Sequence, residues 1–449
     1  MSWNPRYAIL IFASTVITYL SAILIEQAGP KKKSKKTYVV ISLVLNLGLL
    51  LFFKYFNFFV ENFNAVFYLM GSKNNVTTFN VLLPVGISFY TFQALSYTLD
   101  VYKGKINATR HFGKYALFVS FFPQLVAGPI EKSFHLLPQF SQSKLFDYER
   151  VKEGLILMCW GFFKKIVIAD RLAVLVNTVY NDPTSYKGFE LIIATFFFSI
   201  QILCDFSGYT DIAIGASKVL GFNLSKNFDR PYFSKSIPEF WRRWHISLGA
   251  WFRDYLYFPL GGNRVSDLRK YGNILIVFLV SGLWHGASWN FIIWGFLHGF
   301  YQIVDLIFTP KILPRLEYLK INIKHRAYRF FKTLITFSLV TFAWIFFRAN
   351  TINEALYIVK GLFIFNSDVI LGNGKYNLGL NKIEFKVASI SIIVLLLANL
   401  LERKYDLMNL LKRQNILVRW LFYLALVFYI LIYGIYGGNE KAAFIYFQF

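Results

Sequence analysis

The sequence predicts an all-α integral membrane protein, a multi-span bundle of roughly 10–12 membrane-embedded helices with re-entrant segments. Three observations predict it. Of the 449 residues, 56% are hydrophobic and 20% aromatic, and no stretch has the polar surface of a soluble domain. Apolar runs of about 20 residues, enough to cross a bilayer, recur from end to end. The runs are rich in Phe, Leu and Ile and lack the period-2 alternation of an outer-membrane barrel. The whole of 1–449 therefore reads as one membrane-embedded domain.

The clear runs lie near 7–25, 38–60, 155–176, 190–215, 272–300, 331–348, 386–401 and 418–436. Shorter or interrupted ones lie near 81–99 and 115–130. The first run precedes "PKKKSKK" and has no small-x-small cleavage site, so it reads as a retained helix with its lysines inside. The same rule puts 100–114, 226–270 and 402–419 on the cytoplasmic side. The segment 177–188 and the tail 437–449 then lie outside. Leu83-Pro84-Val85-Gly86 and Ala127-Gly128-Pro129 break helix in apolar surroundings. Such breaks are tolerated where protein or a water-filled cavity covers them, so they predict a thick bundle with an interior cavity.

The net charge is +24, from 48 Lys+Arg against 24 Asp+Glu. These residues cluster between apolar runs without a nucleic-acid motif, so the expected polar partner is the membrane surface and not nucleic acid. Cys159 and Cys204 fall in apolar runs with no metal spacing, and read as core. No metal site is expected, and no Gly-x-Ser-x-Gly elbow, P-loop, His-Glu-x-x-His or dinucleotide fingerprint occurs.

Three groups of polar residues stand out. Asp205 and Asp211, in "CDFSGYTDIAIG", are about 240° apart on an ideal helix and do not form one carboxylate pair. They read as helix caps or partners of an arginine; the alternative is support for a site or a proton path. In the stretch 238–264, Trp241, Trp244, Leu248, Trp251 and Tyr255 form an apolar stripe, with Arg242, Arg243 and Arg253 largely off it. That is the composition of a helix in the cytoplasmic headgroup layer. The guanidiniums are also good phosphate ligands, so a phosphorylated donor is a second reading. His245 sits beside the stripe.

The third group is His285, in "SGLWHGASWN". A neutral imidazole is a natural general base near pH 7. Gly282 and Gly286 allow a substrate or a neighbouring backbone to approach it, and Trp284, Trp289 and Trp294 can line a pocket. The plainer alternative is a histidine bonded across helices as packing glue. His298, 13 residues on, faces about 220° away unless the helix breaks between them.

At these residues the sequence resembles the membrane-bound O-acyltransferase superfamily, in its bacterial polysaccharide O-acetyltransferase branch. The resembling strings are "LPVGISFYTFQALSYTLDVYKG", "FFPQLVAGPI", "CDFSGYTDIAIG", "GFNLSKNF", "FWRRWHISLGAWFRDYLYFPLGGNR" and "LWHGASWNFIIWGFLHG", in order, to the final "FIYFQF". The resemblance implies a bundle with a central tunnel, in a bacterial cytoplasmic membrane. It implies His285 as the invariant histidine and His245 as a second one near the cytosol. It implies acetyl-CoA as acyl donor with no bound cofactor, docking by the arginines and tryptophans already named. The acceptor is an extracytoplasmic polysaccharide reached through an esterase-like partner. It also points to Tyr446 as an acyl relay, where composition alone suggests an interfacial aromatic belt. Three competing functions remain, a transporter or flippase, a D-alanyl transferase of teichoic acids and an assembly-only role in a complex; a transporter should show two related halves, and none is visible, and an assembly-only role predicts a dispensable His285.

Overall fold

The computed structural model describes residues 7–71, 75–79, 84, 86–364, 378–437 and 445. Among these residues the regular structure is helical throughout. Seven helical stretches are long and apolar enough to span a bilayer: Tyr7–Gln27, Lys32–Leu69, Phe189–Val219, Trp289–Tyr318, Arg326–Arg348, Lys382–Leu401 and Ile416–Tyr433. Shorter helices fill the space between them. The chain is an all-α integral membrane protein.

The N-terminal part packs α1 (Tyr7–Gln27) against α2 (Lys32–Leu50), which passes through a π-helical turn (Leu51–Tyr55) into α3 (Phe56–Leu69). α4 (Ile87–Tyr102) is buried on nearly every face. It starts at Gly86, whose φ is +79° and where a Cβ would meet the Leu125 carbonyl at 2.8 Å. Glycine is required there for both reasons. After α5 (Phe112–Ser120) the chain runs largely non-helical through 121–132 and mostly buried. The Ile130 N–H in this stretch donates to Ser247 Oγ at 3.0 Å. Protein thus covers the second sequence-predicted break, and Pro84 of the first is buried, as irregular backbone at membrane depth requires. Leu83 and Val85 of the first break lie outside the described residues.

The four-residue α6 (Ser133–Leu136) leads to α7 (Tyr148–Phe162). A second π segment, Phe163–Ala169, joins α7 to α8 (Asp170–Tyr180). α9 (Phe189–Val219) lies along this stretch. Gly154 faces Gly215 and Gly161 faces Gly208, seven residues apart on each helix. A Cβ at Gly154 or Gly161 would fall 2.7 or 2.6 Å from the opposing carbonyl oxygen. Small residues let the two backbones touch, which drives helix association where lipid supplies no hydrophobic force.

α10 (Ile237–Arg243) and α11 (Ile246–Phe252) follow. They correct the expectation of one amphipathic helix in the headgroup layer. The chain breaks at Trp244–His245, where His245 takes a left-handed conformation, φ 44° and ψ 54°. Trp244 is buried against Trp344, ring centroids 5.1 Å apart. The stripe is thus a core contact, since aromatic periodicity alone does not distinguish an interface with lipid from one with protein.

The run 272–300 is two helices and not one span. α12 (Asp267–His285) ends at His285, and α13 begins at Trp289 and runs to Tyr318. Ser288 caps α13 by accepting the Asn290 N–H at 3.2 Å. α14 (Arg326–Arg348), α15 (Ile352–Gly361), α16 (Lys382–Leu401), α17 (Leu407–Lys412) and α18 (Ile416–Tyr433) complete the bundle. On α18 the exposed side chains are apolar: Leu417, Leu421 and Ile432 are 77%, 70% and 68% exposed. That surface suits lipid and not water.

Several segments assigned to one side by charge are tied to one another or to neighbouring helices. Glu26 binds Arg110, and Glu153 binds Lys218 and Lys412. Arg230 donates to the Glu402 carbonyl at 2.6 Å. A different set meets elsewhere. Arg348 donates to Asn177 at 2.7 Å, and Tyr357 to the carbonyls of Thr184 and Tyr186 at 3.2 Å.

Candidate active site

His285 is the last residue of α12 and is buried. Three aromatic rings surround its imidazole: Trp284 and Trp294 at 5.0 Å and Phe347 at 5.3 Å between centroids, all close to edge-on. The hairpin that carries it is packed backbone to backbone. A Cβ at Gly282 would meet the Phe291 carbonyl oxygen at 2.2 Å, and one at Gly286 would enter the Phe291 ring. Both glycines therefore admit a neighbouring part of the chain, the second of the two expectations for them.

Two further buried histidines flank this centre. On one side His298 lies 4.9 Å from Trp294, the ring that also touches His285. The break at Gly286–Ser288 lets both histidines pack against one tryptophan. His298 Nδ1 accepts the Trp241 indole N–H at 3.2 Å. Its neutral ring must then carry its proton on Nε2. On the other side His245 lies 6.0 Å from Trp284 and 4.7 Å from Phe206. Its Nδ1 is 3.1 Å from Asn227 Oδ1. That oxygen also accepts the Ser247 N–H at 3.2 Å and hydroxyl at 2.9 Å, which fixes it as the acceptor. Nδ1 therefore carries the proton, and the lone pair of His245 is on Nε2, which has no hydrogen-bond partner among the described residues. Asn227, which fixes this tautomer, was missed by the sequence reading; no spacing rule marks it.

The end of α12 is held by a residue the sequence reading passed over. Lys54, in the π turn after α2, donates to the Trp284 carbonyl at 2.8 Å and the His285 carbonyl at 2.9 Å. The next residue, Tyr55, donates its hydroxyl to the Leu283 carbonyl at 2.6 Å. The signal available was a lone lysine in "LLFFKYFNFF".

The remaining site expectations divide as follows. Asp205 pairs with Lys165 at 2.6 Å and Asp211 with Lys164 at 2.6 Å, so their partners are lysines of the second π segment and not arginines. Lys165 also binds Asp170, at 2.7 Å. Trp284 lies in the aromatic surround of His285, whereas Trp289 is half-exposed and donates its indole N–H to Asn62 at 2.7 Å. Arg242 is exposed. Arg243 is already bound to Glu239 at 2.8 Å and the Asp229 carbonyl at 3.3 Å, and Arg253 to Asp254 at 3.2 Å. Tyr446 lies outside the described residues. Its neighbour Ile445 is buried, and its N–H donates to Asp205 Oδ2 at 2.8 Å. Among the described residues no three His, Cys, Asp or Glu side chains gather as a metal site.

The profile of the MBOAT, membrane-bound O-acyltransferase family, matches residues 106–315, a span that includes all three buried histidines. The chain is 37% identical over 396 residues to the peptidoglycan O-acetyltransferase of Helicobacter pylori, covering 80% of this chain and 71% of that protein. It is 38% identical over 399 residues to a probable alginate O-acetylase of Azotobacter vinelandii, covering 88% and 75%. The teichoic acid D-alanyltransferase of Bacillus subtilis is 28% identical over 232 residues, covering 49% and 58%. An identity sustained through most of both chains, with the helix ends that carry the histidines inside the matched region, means that this chain belongs to the membrane-bound O-acyltransferase family and is a multi-pass membrane acyltransferase.

Proposed function

We propose that the chain takes acetyl groups from cytosolic acetyl-CoA and passes them through a central tunnel for O-acetylation of an extracytoplasmic polysaccharide. The setting is a bacterial cytoplasmic membrane, and an esterase-like protein outside completes the transfer. The observation that carries this reading is the aromatic enclosure of His285 at a helix end, with His245, whose Nε2 has no hydrogen-bond partner among the described residues, against the same Trp284.

In the chemical step, His285 takes the proton of an acceptor hydroxyl. The oxygen attacks the thioester carbonyl carbon. As the tetrahedral intermediate collapses, the carbon–sulfur bond breaks, and the imidazolium returns its proton to the departing thiolate. The first acceptor hydroxyl is that of Tyr446, which then carries the acetyl group as an ester. A hydroxyl of the partner attacks that ester and restores the tyrosine. The exposed Arg242 and the rim residue Arg253 meet the phosphates of the donor. Burial of Ile445 against Asp205 supports the tail's return into the bundle.

The identity to the two O-acetyltransferases over most of the chain favours acetyl over D-alanyl transfer. The test is purified protein in detergent or liposomes with labelled acetyl-CoA, scored for thioester cleavage, beside mass analysis of cell-surface glycans from a deletion strain. Acetyl release that His285→Ala stops, and glycan acetyl esters that the deletion removes, are expected. Unchanged acetylation with Tyr446→Phe would end the relay; full activity of His285→Ala would end the reading as a whole.

A further inference from the structure

A helix C-terminus leaves its last carbonyls without intrahelical donors and carries partial negative charge. At α12 three of these carbonyls, of Leu283, Trp284 and His285, are met by two consecutive residues of another helix, Tyr55 and Lys54. Both belong to a π-helical turn, where the extra residue per turn re-aims side chains; such turns gather at functional sites. Lys54 is half-buried and, among the described residues, no carboxylate forms an ion pair with it. Its third short contact is Ser88 Oγ at 3.4 Å. An ammonium has three donors, and here all three have oxygen acceptors. A small cavity of about 30 Å³, lined in part by Phe53, Lys54 and Asn57, adjoins it.

Even a half-buried cation without a carboxylate partner is costly within an apolar bundle. Hydrophobic packing of this turn would be cheaper, so its placement calls for a reason. The carbonyls it binds belong to His285 and the residue before it. Beyond His285 the chain leaves the helix at once, extended at Gly286 with φ −163°. The backbone that carries the imidazole is therefore the end of a helix, held on one side by the α13 packing at Gly282 and on the other by Lys54.

We infer that Lys54 is a positioning residue for the acyl transfer: its ammonium, with the Tyr55 hydroxyl, clamps the last turn of α12 and so fixes where the His285 imidazole points. The inference rests on His285 being the base of the proposed reaction. Lys54 itself touches neither donor nor acceptor. A misplacement of about 1 Å in a reacting group can cost on the order of 100-fold in rate.

The test uses full-length protein with labelled acetyl-CoA, comparing Lys54→Met, Lys54→Arg, Tyr55→Phe and His285→Ala. Lys54→Met is expected to lower kcat about 10- to 100-fold with KM for acetyl-CoA within twofold. Lys54→Arg, which keeps charge and donors, is expected to recover most of kcat, and Tyr55→Phe to lose less than Lys54→Met. If Lys54→Met does not accumulate in the membrane, Tyr55→Phe and Lys54→Gln carry the test: lowered kcat at constant KM supports the clamp, and unchanged kcat in both overturns it. A rise in KM with kcat intact would also overturn it, by making Lys54 a donor-binding group. Full activity of His285→Ala sinks the base assignment first; an inactive His285→Ala beside a normal Lys54→Met sinks the clamp alone.

Discussion

Two helix crossings in this molecule are built with the same small-residue contact and hold opposite kinds of polar cargo. Where α7 and its π segment meet α9, Gly154–Gly215 and Gly161–Gly208 bring the backbones together. The charges there are Lys164, Lys165, Asp170, Asp205 and Asp211, joined in short ion pairs. Where α12 meets α13, Gly282 and Gly295 do the same packing work, but the polar groups are His285 and His298, both against Trp294. In the first crossing three carboxylates share two lysines, so these charges are committed chiefly to one another. In the second the polar groups are rings that can take or give a proton, set among aromatics. Close packing is thus shared scaffolding, and the chemistry is decided by what is packed into it.

The largest effect should come from the second crossing. Removing the base with His285→Ala should lower acetyl transfer on the order of 100- to 10,000-fold, the range for loss of a general base. The protein should still reach the membrane and unfold near the wild-type temperature. Labelled acetyl-CoA turnover with a thermal melt in detergent measures both. A large fall in Tm with a proportionate fall in turnover would make His285 packing glue.

The first crossing should respond in the opposite sense. Lys165→Met leaves Asp205 and Asp170 without their shared cation. Removing one partner of a buried pair typically costs about 3–5 kcal/mol. Thermal melts should show this as a large loss of Tm, partly recovered when Asp205→Asn is added. Because Asp205 also accepts the Ile445 N–H, the single variant should loosen the tail as well. An unchanged Tm in Lys165→Met would mean that these charges are water-screened and not structural.

The glycines sharpen the comparison further, since the same substitution can be made in both places. Gly161→Ala and Gly282→Ala would each push a methyl into a facing carbonyl, at 2.6 and 2.2 Å. Overpacking of this kind costs about 1–3 kcal/mol. Both variants should lose Tm; only Gly282→Ala should also lose kcat per folded molecule, because the shift reaches His285 three residues on. Equal specific activities for the two would detach the α12–α13 contact from catalysis.

Much of this was legible in the sequence because bilayer length and apolar composition speak for themselves. The runs at 7–25, 190–215 and 331–348 each lie within one long helix. The helix break after His285 was not legible, because Gly286-Ala287-Ser288 is too short to interrupt hydropathy across 272–300. Its cue was local: serine ahead of a new apolar run is an N-cap signal. The stripe of Trp241, Trp244 and Trp251 was read for its periodicity, but what covers a stripe is a tertiary fact. For the same reason the partners of Asp205 and Asp211 were assigned to the wrong kind of cation. Lys54 and Asn227 were invisible for a deeper cause. Each acts through backbone or side-chain oxygens more than 15 residues away in sequence, and no short motif encodes such a pairing.

The smallest effect should lie at a polar cluster beside the first crossing. Glu153 stands at the start of α7, ahead of its membrane-embedded part, and binds Lys218 of α9 and Lys412 of α17. The Lys218 hydrogen bond, and then that of Lys412, holds its carboxyl below the ordinary glutamate range. A carboxyl whose folded value is depressed adds stability that is fully present above its unfolded value, about 4.3, and fades as pH falls through the folded one. Pairs this close to water are worth at most about 1 kcal/mol. Glu153→Gln should therefore lower Tm slightly and by a constant amount between pH 6 and pH 8, roughly the range in which the carboxyl stays ionised. Below about pH 4 the wild type should converge on the variant. Raised salt should shrink the difference at neutral pH, and acetyl transfer should not change. An offset that did not shrink at all as pH fell below the ordinary glutamate value, about 4.3, would show that Glu153 packs α7 against α9 through shape and not through charge. The contrast between ion-paired and aromatic crossings would then hold for Lys164, Lys165 and their aspartates without extending to Glu153.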